Sequence, residues 1–310
     1  MSSGFQARGW RVVRFRGADG EPRVGAVDPA EPATVVELAS PDPLDVLRLG
    51  GLAERAAASS RTIQAYDAET LELPDPWELL VPVVPTETWA AGVTYERSRR
   101  ARVEETHVQD VYSLVYVAER PEIFLKDAAG RRTVGPGAAV GVRADSSWTV
   151  PEPELTLVLG DHGTVLGVTI GNDLTARDIE GENPLYLPQA KLFAGACAIG
   201  PAILVADELA APFTIELRIV DRDGSEIYAG ETSTENMTRT LEELIYFLGR
   251  DNPVPPGSVL LTGTGLVPPD DVALLPGHGV DIRIPGIGRL RNRVAAAADL
   301  ISRKDMLHVG

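Results

Sequence analysis

The sequence contains a single cysteine, Cys197, among its 310 residues. One cysteine excludes an intramolecular disulfide, and it also excludes a metal site built from several thiolates. The residue lies in the apolar run AGACAIG, which is typical of a small buried side chain rather than of a nucleophile. Any metal site in this protein must therefore use other ligands.

Basic residues are also few. The sequence has 29 lysines and arginines against 45 aspartates and glutamates, which gives a formal net charge of −16. Such a balance disfavours nucleic acid and anionic membrane as partners, because a phosphate backbone requires a basic footprint. The basic run RSRRARVEE (97–105) contains glutamates and is typical of a solvated helix face. Lysine is scarce, so Lys126 and Lys191 stand out as local cations for an anionic substrate.

Long hydrophobic runs are absent. No apolar stretch approaches the roughly 20 residues that a membrane-spanning helix requires. The first residues, MSSGFQARGWRVVRF, lack the apolar region of a secretory signal, so we expect a cytoplasmic protein without a membrane partner. Internal repeats and low-complexity segments are missing too, and so is the glycine spacing of a dinucleotide-binding loop, which excludes a Rossmann domain.

Short runs of alternating apolar and polar residues, separated by frequent turn signals, predict an α+β fold that is mostly β. In the chain it follows a small N-terminal α/β domain. WRVVRFRGADGEPRVGAVD predicts a hairpin, and the helical stretch DPLDVLRLGGLAERAAAS contains Gly50 and Gly51, which can split it. The proline-dense segment 72–89 marks a boundary, so we assign residues 1–85 to the small domain and 86–310 to the catalytic domain.

The body is expected to be mixed and mostly antiparallel, with few helices. ELTLVLGDHGTVLGVTIGND predicts one hairpin, and FTIELRIVDRDGSEIYAG predicts another around its Asp-Gly turn. TRTLEELIYFLGRDNP predicts a helix, because its leucines repeat at helical spacing. Thr240 and Glu243 fit a capping box at the start of this helix, and Gly249 can end it.

Two glutamates alternate with prolines where a strand begins, in VPEPELTLVLG (150–160). Side chains two apart in a strand share one face, so Glu152 and Glu154 lie close and one should be hard to ionise. The hairpin that follows brings Asp173 back beside them. Three carboxylates without nearby His or Cys suit a hard cation such as Mg²⁺, Mn²⁺ or Ca²⁺. Glu-x-Glu pairs also occur on exposed strand faces, so spacing alone leaves both interpretations open.

The motif series PEPELTLVL, GVTIGNDLTARDIEG, QAKLF and LLTGTG resembles the signature of the fumarylacetoacetate hydrolase superfamily, over roughly residues 86 to 295. The resemblance implies a mixed β-roll catalytic domain, a smaller N-terminal domain and a homodimer or higher homo-oligomer. It implies a divalent metal, expected to be Mg²⁺, held by Glu152, Glu154 and Asp173. It also assigns substrate contacts to Lys191, Arg177, Gly263 and Thr264.

Departures from the hydrolytic pattern bear on the reaction. Hydrolytic members carry a His–Glu pair in a short helix after the first active-site strand. Here Tyr95 matches the tyrosine of that motif, Ser98 stands about where the histidine should be, and Glu180 replaces a common glutamine. The nearest histidine, His107, is nine residues on and is interpreted as a surface residue. Without that histidine the usual base for activating water is missing, so C–C hydrolysis is disfavoured.

The segments VTYERSRRARVEE, YVAERPEIFLK and RDIEGENPLYLPQAK resemble more closely the sugar-acid dehydratase branch, of the 2-keto-3-deoxy-D-arabinonate type. That resemblance implies a metal that polarises a 2-oxo acid, a base that removes a C3 proton, and a C4 hydroxyl that leaves as 2-oxoglutarate semialdehyde forms. Lys191 is the candidate base, with simple pairing to the carboxylates as an equal alternative. Glu122 is the candidate acid, with a salt bridge to Arg120 or Lys126 as its alternative role.

Three functions stay open from sequence alone. The first is the metal-dependent dehydratase of a 2-keto-3-deoxy sugar acid. The second is an acylpyruvate or fumarylacetoacetate-type hydrolase, or a 2-oxo acid decarboxylase, on the same site. The third is a protein that binds metal and 2-oxo acid without catalysis. All three take a small-molecule 2-oxo acid, and the candidates to bind it are Tyr95, Ser98, Arg177, Glu180, Gly263 and Thr264.

Overall fold

A computed structural model describes residues 8–105, 109–205 and 212–301 of the chain. In these residues strands outnumber helices and form mixed, mostly antiparallel sheets, which confirms the predicted fold class. None of the helices described here is both long and apolar enough to cross a membrane. His107, interpreted from sequence as a surface residue, lies outside the described residues.

The elements are numbered in chain order. The strands are β1 (Arg11–Arg16), β2 (Pro22–Val27), β3 (Thr34–Glu37), β4 (Thr62–Gln64), β5 (Glu78–Leu79), β6 (Glu87–Gly92), β7 (Glu122–Ala128), β8 (Thr133–Val134), β9 (Ala139–Val142), β10 (Thr149–Val150), β11 (Pro153–Leu159), β12 (Val165–Asp173), β13 (Thr175–Ala176), β14 (Cys197–Leu204), β15 (Thr214–Val220), β16 (Glu226–Ser233), β17 (Val259–Leu261), β18 (Gly279–Ile284) and β19 (Gly288–Ala296). The helices are α1 (Pro43–Leu49), α2 (Leu52–Ala57), α3 (Glu96–Glu105), α4 (Gln109–Val117), α5 (Arg177–Glu182), α6 (Leu187–Lys191) and α7 (Leu241–Gly249).

The N-terminal elements follow the local signals. β1 and β2 form the predicted hairpin, and the predicted helical stretch is split into α1 and α2. The split falls at Gly50 and Gly51, whose φ values of 61° and 66° suit glycine rather than a continuing helix. β1 also pairs with β14, so one sheet runs across the predicted domain boundary at residue 85. The division into two domains stays a prediction.

The larger sheet has the strand order β4-β3-β2-β1-β14-β12-β11-β17-β6-β7. At its centre β11 and β12 form the predicted antiparallel hairpin, with Glu154 opposite Gly171. Every residue of β11 is buried, which is typical of a strand covered on both faces. Leu155, Leu157 and Leu159 pack into one hydrophobic cluster, while Val158 packs into another on the opposite face. The short turn between the strands, where the Gly160 N–H donates to the Thr164 carbonyl at 2.7 Å, fixes the register of this hairpin and hence the position of its end residues.

The second sheet, β16-β15-β18-β19-β9, shares the main hydrophobic cluster with β11 and β12. Its strand β15 alternates buried and partly or fully exposed residues, so Ile215, Leu217 and Ile219 face that core. β15 and β16 form the other predicted hairpin. α7 begins after Thr240, whose hydroxyl accepts the backbone N–H of Glu243, which confirms this half of the predicted capping box, and the Glu243 carboxylate accepts from Arg239. The hydrophobic core between the two sheets therefore packs against one face of the β11–β12 hairpin.

Candidate active site

Three buried carboxylates meet at the open end of the β11–β12 hairpin. Glu154 lies in β11, Glu152 directly precedes that strand, and Asp173 ends β12. The backbone N–H of Asp173 donates to the Glu152 carbonyl at 2.9 Å, which fixes the two strand ends side by side. One carboxylate oxygen from each residue lies within 4.8 Å of the others. The sequence prediction that these three side chains converge is confirmed, and an all-oxygen set suits a hard divalent cation.

Burial makes this cluster difficult to ionise completely. Glu154 is 1% exposed, and its pKa is raised well above the ordinary value, first by burial and then by the charges of Asp173 and Glu152. This agrees with the expectation that like charges on one strand face would leave one carboxylate hard to ionise. A divalent cation would offset the second of these causes, the charges of Asp173 and Glu152.

Lys191, the last residue of α6, places its ammonium group among these carboxylates. The Nζ donates to Glu152 Oε2 at 2.7 Å, to Asp173 Oδ2 at 2.9 Å and to Thr175 Oγ1 at 2.6 Å. It also lies 5.3 Å from the centre of the Phe124 ring, and the side chain is 2% exposed. The structure thus contains the ion pairing that was one of the two predicted roles for Lys191, and the role as base stays a prediction.

Three other oxygens of the carboxylates are contacted by a second group of residues. Arg177 Nη2 donates to Glu152 Oε1 at 2.8 Å, the Gly263 N–H donates to Glu154 Oε2 at 2.6 Å, and Lys126 Nζ forms an ion pair with Asp173 Oδ1 at 2.5 Å. The sequence predicted that Arg177 and Gly263 contact substrate. In the structure both contact carboxylates of the cluster, because the chain folds their N–H groups towards buried anions that need partners.

Lys126 contacts Asp173 of the carboxylate cluster, and the sequence did not predict this contact. It lies in β7, is fully buried, and also donates to the Leu174 carbonyl at 2.7 Å. Burial lowers the pKa of Lys126, and the adjacent Asp173 opposes that effect. The scarcity of lysine was the available signal, since a lysine that is buried requires an anionic partner.

Three polar side chains predicted to bind substrate are buried close to the cluster or on the helices beside it. Tyr95 is 1% exposed, and burial, followed by the charge of Glu154, raises its pKa, so the phenol keeps its proton. Its hydroxyl is without a hydrogen-bond partner among the residues that the structure describes. Ser98 on α3 and Glu180 on α5 are 4% and 3% exposed, and these two helices pack against each other.

Thr264, also predicted to bind substrate, is 4% exposed. Its hydroxyl donates to the Leu266 carbonyl at 3.2 Å and accepts the Leu266 N–H at 3.1 Å. These contacts close a local turn directly after Gly263. The substrate role of Thr264 stays a prediction, while the structure assigns it a part in shaping the loop that carries the Gly263 N–H.

Glu122, the candidate acid, begins β7 and is half-buried. Its carboxylate lies over Gly92 so closely that a Cβ at that glycine would overlap it. Phe124, two residues on and therefore on the same strand face, contacts Lys191. Lys126, one alternative partner of Glu122 in the sequence prediction, pairs with Asp173 instead. Glu122 thus projects from the strand face that borders the cluster.

Residues 97–295 match the family model described as fumarylacetoacetate (FAA) hydrolase C-terminal. The chain belongs to the fumarylacetoacetate hydrolase family. Within it, the chain is 45% identical over 270 residues to a probable 2-keto-3-deoxyxylonate dehydratase of Haloferax volcanii, covering 84% of this chain and 92% of that protein. It is 46% identical over 214 residues to the 2-dehydro-3-deoxy-D-arabinonate dehydratase of Saccharolobus solfataricus, covering 67% and 72%.

A solved structure of this family is similar over nearly the whole chain. It is described as 2-keto-3-deoxy-D-arabinonate dehydratase complexed with magnesium and 2,5-dioxopentanoate. The TM-score is 0.80 at 38% identity, covering 92% of this chain and 99% of that one. The predicted family and its β-rich fold are therefore confirmed.

Replacing Gly263 by alanine is expected to destabilise the protein. The residue has a φ of 92°, and a Cβ there would overlap Thr94 Oγ1 and lie 2.9 Å from the Ala91 carbonyl. Backbone strain costs about 1–3 kcal/mol, and the overlap adds a cost of about 1–3 kcal/mol. Urea denaturation measures the loss. Gly224→Ala is the matched control, since its φ is 90° with no atom within 4 Å of the new Cβ; equal losses in both variants would contradict the packing role.

Proposed function

We propose that the protein is a divalent-metal-dependent dehydratase of a 2-keto-3-deoxy sugar acid. The product of the arabinonate substrate would be 2,5-dioxopentanoate, which is 2-oxoglutarate semialdehyde. The observation that carries the proposal is the buried cluster of Glu152, Glu154 and Asp173 with the Lys191 ammonium among them. In this cluster the candidate metal ligands and the candidate base are in direct contact. Two relatives that are 45% and 46% identical to the chain are named as dehydratases.

The three carboxylates would hold the cation, and Mg²⁺ fits their all-oxygen donor set, with Mn²⁺ and Ca²⁺ as alternatives. When bound, such a cation polarises the 2-oxo group of the substrate and so acidifies the C3 protons. The pairing with Arg177 and with the Gly263 N–H keeps Glu152 and Glu154 oriented towards the cluster. Removal of these buried carboxylates from water keeps competing ligands away from the site.

Lys191 takes the C3 proton in this proposal. Its neutral amine would accept the proton, and the ammonium that results has the contacts seen here, with Glu152, Asp173 and Thr175. Glu122 gives a proton to the C4 hydroxyl, so the C3–H and C4–O bonds break, a C3–C4 double bond forms and water leaves. Loss of a proton from C5 and gain of one at C3 then move the double bond to C4–C5 and give an enol, and loss of the enol hydroxyl proton with gain of a proton at C4 gives the aldehyde.

The other polar residues would orient the sugar acid. Tyr95 keeps its proton and has a hydroxyl free to donate to a substrate oxygen. Ser98, Glu180 and Thr264 add hydroxyl and carboxylate groups suited to a polyhydroxy substrate. The predictions of a homodimer or higher homo-oligomer and of a cytoplasmic location accompany this proposal.

The hydrolase and decarboxylase alternatives are less well supported. A hydrolase needs a base that activates water, and histidine most often serves that role. In the described part of the chain, His162 lies in the turn at the far end of the β11–β12 hairpin, and His278 directly precedes β18. Ser98 stands where hydrolytic members carry their histidine, so the site lacks that base at its expected position.

A substrate panel tests the proposal. The purified protein with Mg²⁺ is incubated with 2-keto-3-deoxy sugar acids of five and six carbons, with acylpyruvates and with oxaloacetate. We expect a 2,5-dioxo acid only from the sugar acids, an aldehyde from those with five carbons and a ketone from those with six, detected as its hydrazone by mass spectrometry. Pyruvate released faster from acylpyruvates than a 2,5-dioxo acid from any sugar acid would favour the hydrolase, and carbon dioxide from oxaloacetate would favour the decarboxylase.

A further inference from the structure

Five oxygens of the carboxylate cluster fall into two sets, according to the groups that contact them. One oxygen of each residue is bonded from outside the cluster, through the contacts of Arg177, the Gly263 N–H and Lys126 described above. The second oxygens of Glu152 and Asp173 both accept from the Lys191 ammonium, at 2.7 and 2.9 Å. Lys191 thus contacts one oxygen of Glu152 and one of Asp173, called the inward oxygens from here on, whereas the outer groups contact the other oxygen of each.

The outer donors determine how many oxygens each carboxylate can offer to a cation. A carboxylate with one oxygen in a strong hydrogen bond or ion pair offers its other oxygen to a metal more readily, because the donor already occupies a lone-pair site of the first. Mg²⁺ requires a near-octahedral set at short distances and keeps several waters, whereas Ca²⁺ accepts more ligands and often binds carboxylates through both oxygens. A cluster limited to one oxygen per residue therefore suits the smaller ion.

We propose that Lys126 is a positioning residue that restricts Asp173 to one metal-binding oxygen and thereby sets a preference for Mg²⁺ over Ca²⁺. The proposal rests on the proposed metal-dependent function. Lys126 is well placed for this role because its ammonium group is fixed: it donates to the Leu174 carbonyl at 2.7 Å and lies 5.7 Å from the centre of the Phe193 ring. Its full burial prevents it from moving out to water.

The choice of lysine for this contact has a geometric reason. β7 and β12 are not neighbours in the sheet, so a side chain from β7 must be long to reach Asp173. A lysine spans that distance and provides a positive charge, which offsets the cost of burying the carboxylate. Arg177 plays the same part for Glu152, but it lies beside the substrate-binding candidates of α5, so Lys126 is the cleaner position for a test.

Isothermal calorimetry with Mg²⁺ alone and with Ca²⁺ alone tests the role of Lys126. In Lys126→Met we expect Mg²⁺ affinity to fall about 10- to 100-fold, the usual cost of removing an outer partner of a metal ligand. The Ca²⁺ affinity should fall less or rise, because the released Asp173 oxygen can bind the larger ion. Lys126→Gln keeps an N–H donor near that oxygen and should retain more of the Mg²⁺ preference.

Lys191→Met is the matched control, since it removes the same charge from the same aspartate at the inward oxygen. It should leave the ratio of Mg²⁺ to Ca²⁺ affinity unchanged. Equal losses of both affinities in Lys126→Met would overturn the role in metal preference while leaving the metal centre itself intact. A wild-type protein that binds neither ion would instead overturn the proposed function.

A measurement on the wild-type protein keeps the proposal testable even where a variant fails to fold. The protein is loaded with Mn²⁺, which shares the octahedral all-oxygen preference of Mg²⁺. Electron paramagnetic resonance in ¹⁷O-enriched water then counts the exchangeable waters on the ion. Three carboxylates that each give one oxygen leave about three positions for water. A count of two or fewer would show that a carboxylate binds through both oxygens and would overturn the proposal.

Discussion

Replacing Glu154 by glutamine is expected to abolish Mg²⁺ binding and turnover while the fold survives. Glutamine has nearly the same shape, so the buried packing around β11 is kept, and its amide oxygen can still accept the Gly263 N–H. The variant loses one of the three anionic ligands. Loss of an outer partner already costs about 10- to 100-fold in metal affinity, so loss of a ligand should cost at least about 100-fold. Calorimetry measures the Mg²⁺ affinity of the variant, and an affinity equal to that of the wild type would show that Glu154 is not a metal ligand.

The same variant makes a prediction about stability in the absence of metal. Because the pKa of Glu154 is raised in the folded protein, folding favours its protonated form. Its contribution to stability is therefore greatest below its ordinary pKa of 4.5 and is lost as the pH rises towards its folded pKa. With EDTA present, Glu154→Gln should melt above the wild type at pH 8, and the difference should shrink as the pH falls. Glu54→Gln, at an exposed position of α2, should show no such trend.

Replacing Lys191 by methionine is expected to reduce turnover about 10²- to 10⁴-fold, the usual loss when a general base is removed. Methionine keeps the apolar stem, so contact with the Phe124 ring can persist. Mg²⁺ binding should survive or strengthen, because the ammonium group no longer competes for Glu152 Oε2 and Asp173 Oδ2. Steady-state kinetics and calorimetry together check both halves of this expectation.

Proton exchange separates a base from a charge partner. In D₂O the wild type should exchange the C3 protons of a 2-oxo acid that lacks the C4 hydroxyl, because exchange requires no leaving group. Lys191→Met should lose this exchange, and so should Lys191→Arg, which keeps the charge but stays protonated. If Lys191 only balances charge, Lys191→Arg should instead exchange the C3 protons about as fast as the wild type. In Lys191→Met, KM should then rise by a larger factor than kcat falls.

The parts of this site that sequence predicts are those that depend on local pairing. Alternation and turn signals define the β11–β12 hairpin, and a hairpin necessarily returns Asp173 to the start of its first strand, beside Glu152. The raised pKa of Glu154 follows from the same spacing once both strand faces are buried. The cap of α7 is equally local, since Thr240 and Glu243 are three residues apart.

Contacts between residues that are far apart in the sequence and on strands that are not neighbours were not predictable in this way. Lys126 reaches Asp173 across strands that are not neighbours, and no spacing in the sequence encodes that approach. The Gly263 N–H donates to Glu154 because a buried anion needs donors, and this contact between residues more than a hundred positions apart has no local signal in the sequence. Family motifs identify which residues assemble at the site, whereas the structure shows which of them hold the others in place.

The most direct test of a metal-dependent dehydratase is nuclear magnetic resonance of 2-keto-3-deoxy-D-arabinonate with the wild-type protein in D₂O. We predict conversion to 2,5-dioxopentanoate with loss of one water and solvent deuterium at C3. EDTA should stop the conversion, and added Mg²⁺ should restore it. Cleavage to pyruvate and a two-carbon aldehyde, or conversion that continues after removal of metal, would contradict the account.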